Sequence, residues 1–190
     1  MVVLSVASTE AHSEDIAAAI VRALVLYSLA EFQASHATTI RVHAHGVSFK
    51  VSDDGRGHAM DRTVAGQPYV NVVYSHLDFP FAKSDAPPVQ LHAIGLSLIN
   101  TLCSQLVVTV HKQGAAFRRT YRDGRLIGDE TLSTGFGETG NAIAGAVSPR
   151  LQPHAVDHQR LRQWLGFVAA ASPGLVLYFN DATVPSHNAA

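Results

Sequence analysis

The sequence is short of several things, and each shortage excludes a class of protein. A single cysteine, Cys103, excludes an intramolecular disulfide, so nothing here implies an oxidising compartment and the cytoplasm is the expected location. Charged residues make up only 15% of the chain and its net charge is −1, without a long run of Lys or Arg. A general electrostatic grip on nucleic acid is therefore not expected. The start of the chain lacks the basic stretch and apolar block of a secretory leader, and no uninterrupted apolar run looks long enough for a membrane span. Neither an internal repeat nor a linker divides the sequence. What is present is 190 residues, 47% of them apolar, which is enough for one globular domain with a sizeable core. The eleven histidines are the one compositional oddity.

The pattern along the chain is mixed. Residues 1–12 carry no clear periodicity and read as an N-terminal arm. Ser13-Glu14-Asp15 offers an N-cap followed by acids in a first helical turn. Behind it Ile16, Ile20, Leu24 and Tyr27 form one apolar stripe, and Val21, Val25, Leu29 and Phe32 a second. A helix apolar over so much of its circumference is buried on more than one side. Strands are predicted over 38–44 and 47–52 around a tight turn at His45-Gly46. A helix interrupted near Gly66 and Pro68 is predicted over 63–76, and a proline-containing, lid-length loop over 79–90. Another helix follows over 95–105, with Cys103 on its apolar side, then strands over 106–111, 116–122, 125–131 and 141–147. An amphipathic helix over 156–170 and a last strand over 175–180 complete the domain. It is expected to end at Asp181, leaving 182–190 as a disordered tail. This order predicts an α+β, two-layer sandwich with a mixed, mostly antiparallel sheet covered by helices on one face.

The segment Val51-Ser52-Asp53-Asp54-Gly55-Arg56-Gly57 carries the most information. A strand running into Asp-x-Gly-x-Gly brings a carboxylate to a sheet edge beside a turn whose glycines permit close backbone approach. By itself the motif is equally compatible with a solvated hairpin turn. Further along, Leu91-His92-Ala93-Ile94-Gly95-Leu96-Ser97-Leu98-Ile99-Asn100-Thr101-Leu102 resembles the second glycine box and following helix of the gyrase B-type ATP-binding domains of the GHKL superfamily. Arg118-Arg119-Thr120-Tyr121-Arg122-Asp123-Gly124 resembles the strand and turn that come next, and Thr139-Gly140 the start of a late strand. The resemblance runs in order from about Ile16 to Asp181. It implies the Bergerat fold, with Asp53 accepting a hydrogen bond from an adenine amino group and Thr139 reaching adenine through a water. It further implies Gly55 and Gly57 in the pocket floor, Arg56 paired with Glu31, and Arg118 near the pocket mouth. A buried carboxylate facing an exocyclic amine is a sound recognition pair, because an unpaired buried acceptor is costly.

The same resemblance exposes what is missing. The family's first helix carries a catalytic glutamate, a magnesium-binding asparagine and an aspartate on one face. Here those positions hold Ala23, Tyr27 and Ala30. No general base and no magnesium ligand follow from them, so neither ATP turnover nor magnesium is expected. The glycine pair of the second box is Val89-Gln90 and its next glycine is Ala93. The lid's Gly-Gly is Leu77-Asp78. Side chains there crowd the backbone cradle for phosphate, and a non-glycine residue at positive φ costs roughly 1–2 kcal/mol. The second domain that supplies a lysine to the γ-phosphate is not in this sequence.

Two functions lead on these residues, ahead of a purely structural or inhibitory partner role that rests on the family resemblance alone. In one, the former nucleotide pocket binds a non-nucleotide small molecule and supports a cofactor-independent cyclisation or isomerisation, with Asp53, His92 and Tyr27 as candidate catalytic groups. Its expected ligand set is Asp53, Gly55, Arg56, Gly57, His58, Ile94, Arg118 and Thr139. In the other, the domain binds ADP or ATP weakly without hydrolysis and regulates a protein partner. No metal site is expected: His154 and His158 share a helix face but lack a third ligand, and His43 and His45 read as surface positions. Neither nucleic acid nor membrane is an expected partner, and homo-oligomerisation is left open.

Overall fold

The computed structural model describes residues 15–60, 62–64, 66–75, 95–133 and 137–185. The predicted arm over 1–12, the lid-like loop over 79–90, His92 and Ile94 lie outside the described residues. The first described element is helix α1, Ile16–Gln33. Asp15 caps it by accepting a hydrogen bond from the Ala18 amide at 2.9 Å, so this acid closes the helix start instead of lying in its first turn. By length and composition alone α1 could cross a membrane, with a mean hydropathy of 1.5 over 18 residues, against the expectation from the apolar runs. Its apolar side chains have another destination: Ala17, Ile20, Val21, Leu24 and Val25 are all buried in the core formed with the sheet.

Strands β1 (Thr39–His45) and β2 (Ser48–Asp53) form the expected hairpin, with Gly46 at φ +58° in its turn. Alternation sends Ile40, Val42 and Ala44 into the core and leaves Arg41 and His45 exposed. The predicted helix over 63–76 is shorter than expected. A small hairpin, β3 (Thr63–Val64) with β4 (Gln67–Pro68), occupies its start, and helix α2 runs only over Tyr69–Ser75. Gly66, at φ +79°, lies between these strands, a conformation a helix interior cannot use. Helix α3 (Leu96–Leu102) also ends early, because Cys103 opens the long strand β5 (Cys103–Lys112). Strands β6 (Ala115–Arg122), β7 (Arg125–Ser133) and β8 (Gly140–Val147) follow. Helix α4 (His158–Ala171) leads into β9 (Val176–Phe179).

The chain does not leave the fold at Asp181. Asn180 and Asp181 both take positive φ, +48° and +65°, and turn residues 182–185 back. Strand β10 (Ala182–Thr183) pairs with β9, and the buried Val184 donates its amide to Leu177 O at 2.8 Å. The tail boundary expected after Asp181 therefore falls too early: Asx residues tolerate the left-handed conformation that a tight hairpin requires.

The main sheet has eight strands in the order β10-β9-β1-β2-β8-β5-β6-β7. Only β1 with β9 is parallel; the other neighbours are antiparallel. The architecture is the expected mixed, mostly antiparallel sheet with helices. One further tie locks the layers. The buried Gln152 accepts from the Ala17 amide at 2.8 Å and donates to Asp15 at 3.0 Å, joining the start of α1 to the approach to α4.

Candidate functional site

The end of β2 delivers Asp53 to the base of a cavity of about 290 Å³. Three donors hold its carboxylate. The Ser28 hydroxyl, from α1, donates to Oδ2 at 2.7 Å, and the amides of Gly55 and Asn141 donate to Oδ1 at 3.0 and 3.3 Å. Burial nevertheless prevails and raises the Asp53 pKa above the ordinary carboxylate value, the hydrogen bonds offsetting only part of that penalty.

The loop after Asp53 needs its glycines for space as well as for backbone freedom. A Cβ on Gly57, at φ +72°, would lie 2.9 Å from Val110 Cγ1 and 3.1 Å from the His111 carbonyl. A Cβ on Gly55 would press on Asp53 Oδ1 at 3.0 Å. Gly140 opens β8 at φ +116°, and a Cβ there would strike the Asp53 carbonyl oxygen and come within 2.8 Å of the Asp53 carbonyl carbon. Thus β8 crosses the end of β2 at backbone contact, which is how Asn141 reaches Asp53.

Several expected residues meet in this cavity. Tyr27, Asp53, Gly57 and His58 line it, together with Ala30 and Glu31 from α1 and Gly95 and Leu96 at the start of α3. Ala23 is buried but does not line it. Burial, with Tyr69 nearby, pushes the Tyr27 phenol up to about 12, so it is a neutral hydroxyl. His58 is held at both ends: its amide donates to Asn141 Oδ1 at 3.0 Å, and its Nε2 lies 3.1 Å from the Tyr74 hydroxyl. Burial drives its pKa down to about 4, which leaves a neutral imidazole.

Other expected residues stand outside the cavity wall. Arg56 forms a two-pronged ion pair with Glu31, Nε to Oε2 at 3.0 Å and NH2 to Oε1 at 2.8 Å, on the exposed side of the loop. The Arg56 hydrogen bond leads the causes that lower the Glu31 pKa. Thr139 is exposed and donates its hydroxyl to the Asp54 carbonyl at 3.3 Å. Arg118, on β6, lies 3.9 Å from Glu130 across to β7. Cys103 is a buried thiol pushed up to about 12 by burial, a packing residue without nucleophilic character. His154 and His158 are exposed, and the His158 ring packs edge-on against Phe179.

Ser28, Asn141, Tyr69 and Tyr74 were not among the expected site residues. Ser28 and Asn141 hold the central carboxylate, and Tyr74 holds His58. Ser28 sits one position after Tyr27, but nothing local in the sequence pairs it with a residue 25 positions away. Asn141 directly follows the Thr139-Gly140 pair, the only signal that could have raised it.

Comparison with known proteins agrees with this fold. No protein-family model matches the chain. The B subunit of DNA gyrase from Thermotoga maritima is 31% identical over 169 residues, covering 81% of this chain and 25% of that protein. The B subunit of DNA topoisomerase 4 from Pseudomonas aeruginosa is 29% identical over 168 residues, covering 81% of this chain and 26% of that protein. The chain thus spans about a quarter of the length of these relatives. Among solved structures, the 43K ATPase domain of Thermus thermophilus gyrase B, in complex with an aminocoumarin, superposes with a TM-score of 0.72 at 23% identity, over 86% of this chain and 44% of that one. The topoisomerase IV ATP-binding domain of Francisella tularensis, in complex with a small-molecule inhibitor, gives 0.71 at 18% identity over 86% of this chain and 84% of that one. Sequence relatives and fold neighbours converge, and the chain is a gyrase B-like domain of the GHKL, Bergerat-type fold.

Proposed function

We propose that this domain does not hydrolyse ATP and that its former nucleotide pocket binds a non-nucleotide small molecule. One observation carries the reading. On α1, Ala23 is buried and Tyr27 and Ala30 line the cavity, at the positions where the resemblance calls for a glutamate, an asparagine and an aspartate respectively. Alanine and a neutral phenol supply neither a base for water nor a ligand for magnesium. The chemistry left to such a site is proton transfer at Asp53. Its carboxyl is half-buried, its pKa is raised, and it is positioned by three donors, which suits a cofactor-independent cyclisation or isomerisation. Tyr27 and His58 orient the ligand in this reading, and His92 remains a candidate from its place in the second glycine box. The partner is then a small molecule, not nucleic acid or membrane, and the location cytoplasmic.

Titration with ADP and a non-hydrolysable ATP analogue, with and without magnesium, tests the reading. Neither nucleotide should raise the melting temperature at millimolar concentration. A nucleotide at 100-fold its dissociation constant would stabilise the fold by about 2.7 kcal/mol, a shift of roughly 5–11 °C for a domain of this size. Such a shift would overturn the proposal in favour of a non-hydrolysing nucleotide-binding regulator, the reading that the retained Asp53, Gly55, Gly57 and Thr139 favour. A shift that required magnesium would also restore a metal ligand to the pocket.

A further inference from the structure

Among the described residues, the charges around the cavity do not balance. Among the described residues that line it, Asp53 and Glu31 are the carboxyl groups, and none is a lysine or arginine. Glu31 is neutralised by the two-pronged pair with Arg56. Asp53 is not: its three partners are a hydroxyl and two backbone amides, all uncharged. Arg62, the other arginine on this side, lies over the Tyr69 ring at 5.1 Å and is not part of the lining. A partly buried carboxylate without a countercharge carries a desolvation cost, and the space it faces is where a countercharge fits.

The free hydrogen-bonding capacity is equally specific. A carboxylate has about four acceptor positions, two on each oxygen. Both on Oδ1 are taken by Gly55 and Asn141, while Oδ2 receives only the Ser28 hydroxyl. That leaves one acceptor position on Oδ2. The Ser28 oxygen donates its own proton to Asp53 and keeps lone pairs of its own, so the two side chains form an acceptor pair. Most of the remaining described wall is flat or apolar, with Tyr27, Tyr69, His58, Leu24 and Ile143, and Asn141 and the Arg56-paired Glu31 are its other polar side chains. His58 and Tyr27 are uncharged in the neutral range, so neither repels a cation.

We propose that the ligand of this cavity is a planar organic cation of the amidinium, guanidinium or protonated amino-heterocycle class, donating one N–H to Asp53 Oδ2 and another to Ser28 Oγ, with its flat body against Tyr27. This deepens the non-nucleotide reading and rests on it. It differs from an adenine-type subsite in that the ligand brings the missing positive charge, which both the carboxylate and an aromatic face favour.

Benzamidine, benzamide and benzoate have nearly one shape and carry positive, zero and negative charge, so they test the inference directly. Their affinities for the full chain are measured by calorimetric titration, with ADP run alongside. Benzamidine should bind about tenfold or more tightly than benzamide, as a charge-assisted bond outweighs a neutral one, and benzoate should bind weakest. Asp53→Asn should bring benzamidine and benzamide to within about threefold of each other, since the charge difference then has nothing to act on. Ser28→Ala, a milder change, should weaken benzamidine while keeping it ahead of benzamide; it serves if the Asn variant does not fold. Benzamide or benzoate binding as tightly as benzamidine would overturn the inference, as would a benzamidine advantage that survives Asp53→Asn, or no binding of benzamidine at about 10 mM, beyond the weak end of specific affinity. None of these outcomes touches the non-nucleotide reading, which saturable ADP binding alone would remove.

Discussion

Acidification should reveal His58 before it reveals Glu31 or Asp54. The imidazole is held neutral by burial, with a pKa of about 4 in the folded chain against an ordinary value of 6.5. In the unfolded chain it takes a proton as the pH falls through 6.5, while the folded protein refuses that proton until about 4. The unfolded state therefore binds more protons across this window, and stability falls as the pH falls through it. At pH 4.5 the linkage for this one group amounts to about 2–3 kcal/mol. His58 retains some exposure through the cavity it lines, so that figure is an upper bound. The assay is urea unfolding at pH 7.5, 5.5 and 4.5 for the wild type and His58→Gln, compared as a difference of differences. Glutamine keeps a polar group facing the Tyr74 hydroxyl but does not titrate. The wild type should lose up to about 2–3 kcal/mol more than the variant between pH 7.5 and 4.5, roughly half of it already by pH 5.5. In melting temperature that is roughly 5–10 °C. Glu31 and Asp54, whose folded values are lowered, begin to lose their contribution only at the foot of the window, and Asp53, whose folded value is raised, acts in the opposite direction; all three act alike in wild type and variant and cancel in the difference. Parallel pH slopes for the two proteins would refute the claim that burial holds His58 neutral.

Three further outcomes are expected. Ser28→Ala removes the hydroxyl donor to Asp53 Oδ2, a charge-assisted bond worth about 1.5–3 kcal/mol, so urea midpoints should fall by that equivalent at pH 7 and by less once Asp53 is protonated at low pH. An equal loss at both pH values would mean that the bond is not charge-assisted. Gly140→Ala places a Cβ against the Asp53 backbone at φ +116°, combining about 1–2 kcal/mol of conformational strain with about 1–3 kcal/mol of overpacking, and thermal melting should show a loss of about 2–5 kcal/mol. A variant as stable as the wild type would show that β8 does not press on the end of β2. Tyr121→Phe deletes a hydroxyl that is buried without a hydrogen-bond partner among the described residues, so it should leave stability unchanged or raise it by up to about 1 kcal/mol. A clear loss in urea midpoint would reveal a partner for that hydroxyl.

The sequence by itself determined whatever depends on neighbours along the chain. Apolar alternation decided the inward faces of β1 and β2, and the broad apolar circumference of α1 decided that it would be the central core helix. The Asp-x-Gly-x-Gly turn placed Asp53 at a strand end, and the matched order of motifs anticipated the ion pair of Glu31 with Arg56. Short elements were less legible. Residues 63–68 carry too few side chains to set a period, so pairing between β3 and β4 outweighed helix propensity there, and β10 depended on a turn through Asn180-Asp181 that only a strand already in place makes favourable. The tertiary structure alone decided the chemistry around Asp53. Ser28 and Asn141 converge on its carboxylate from 25 residues before and 88 residues after, and Tyr74 meets His58 from a different helix. No local periodicity encodes such meetings. They arise because α1 packs across β2, and because Gly140, lacking a side chain, lets β8 approach the β2 backbone closely enough to bring Asn141 within reach.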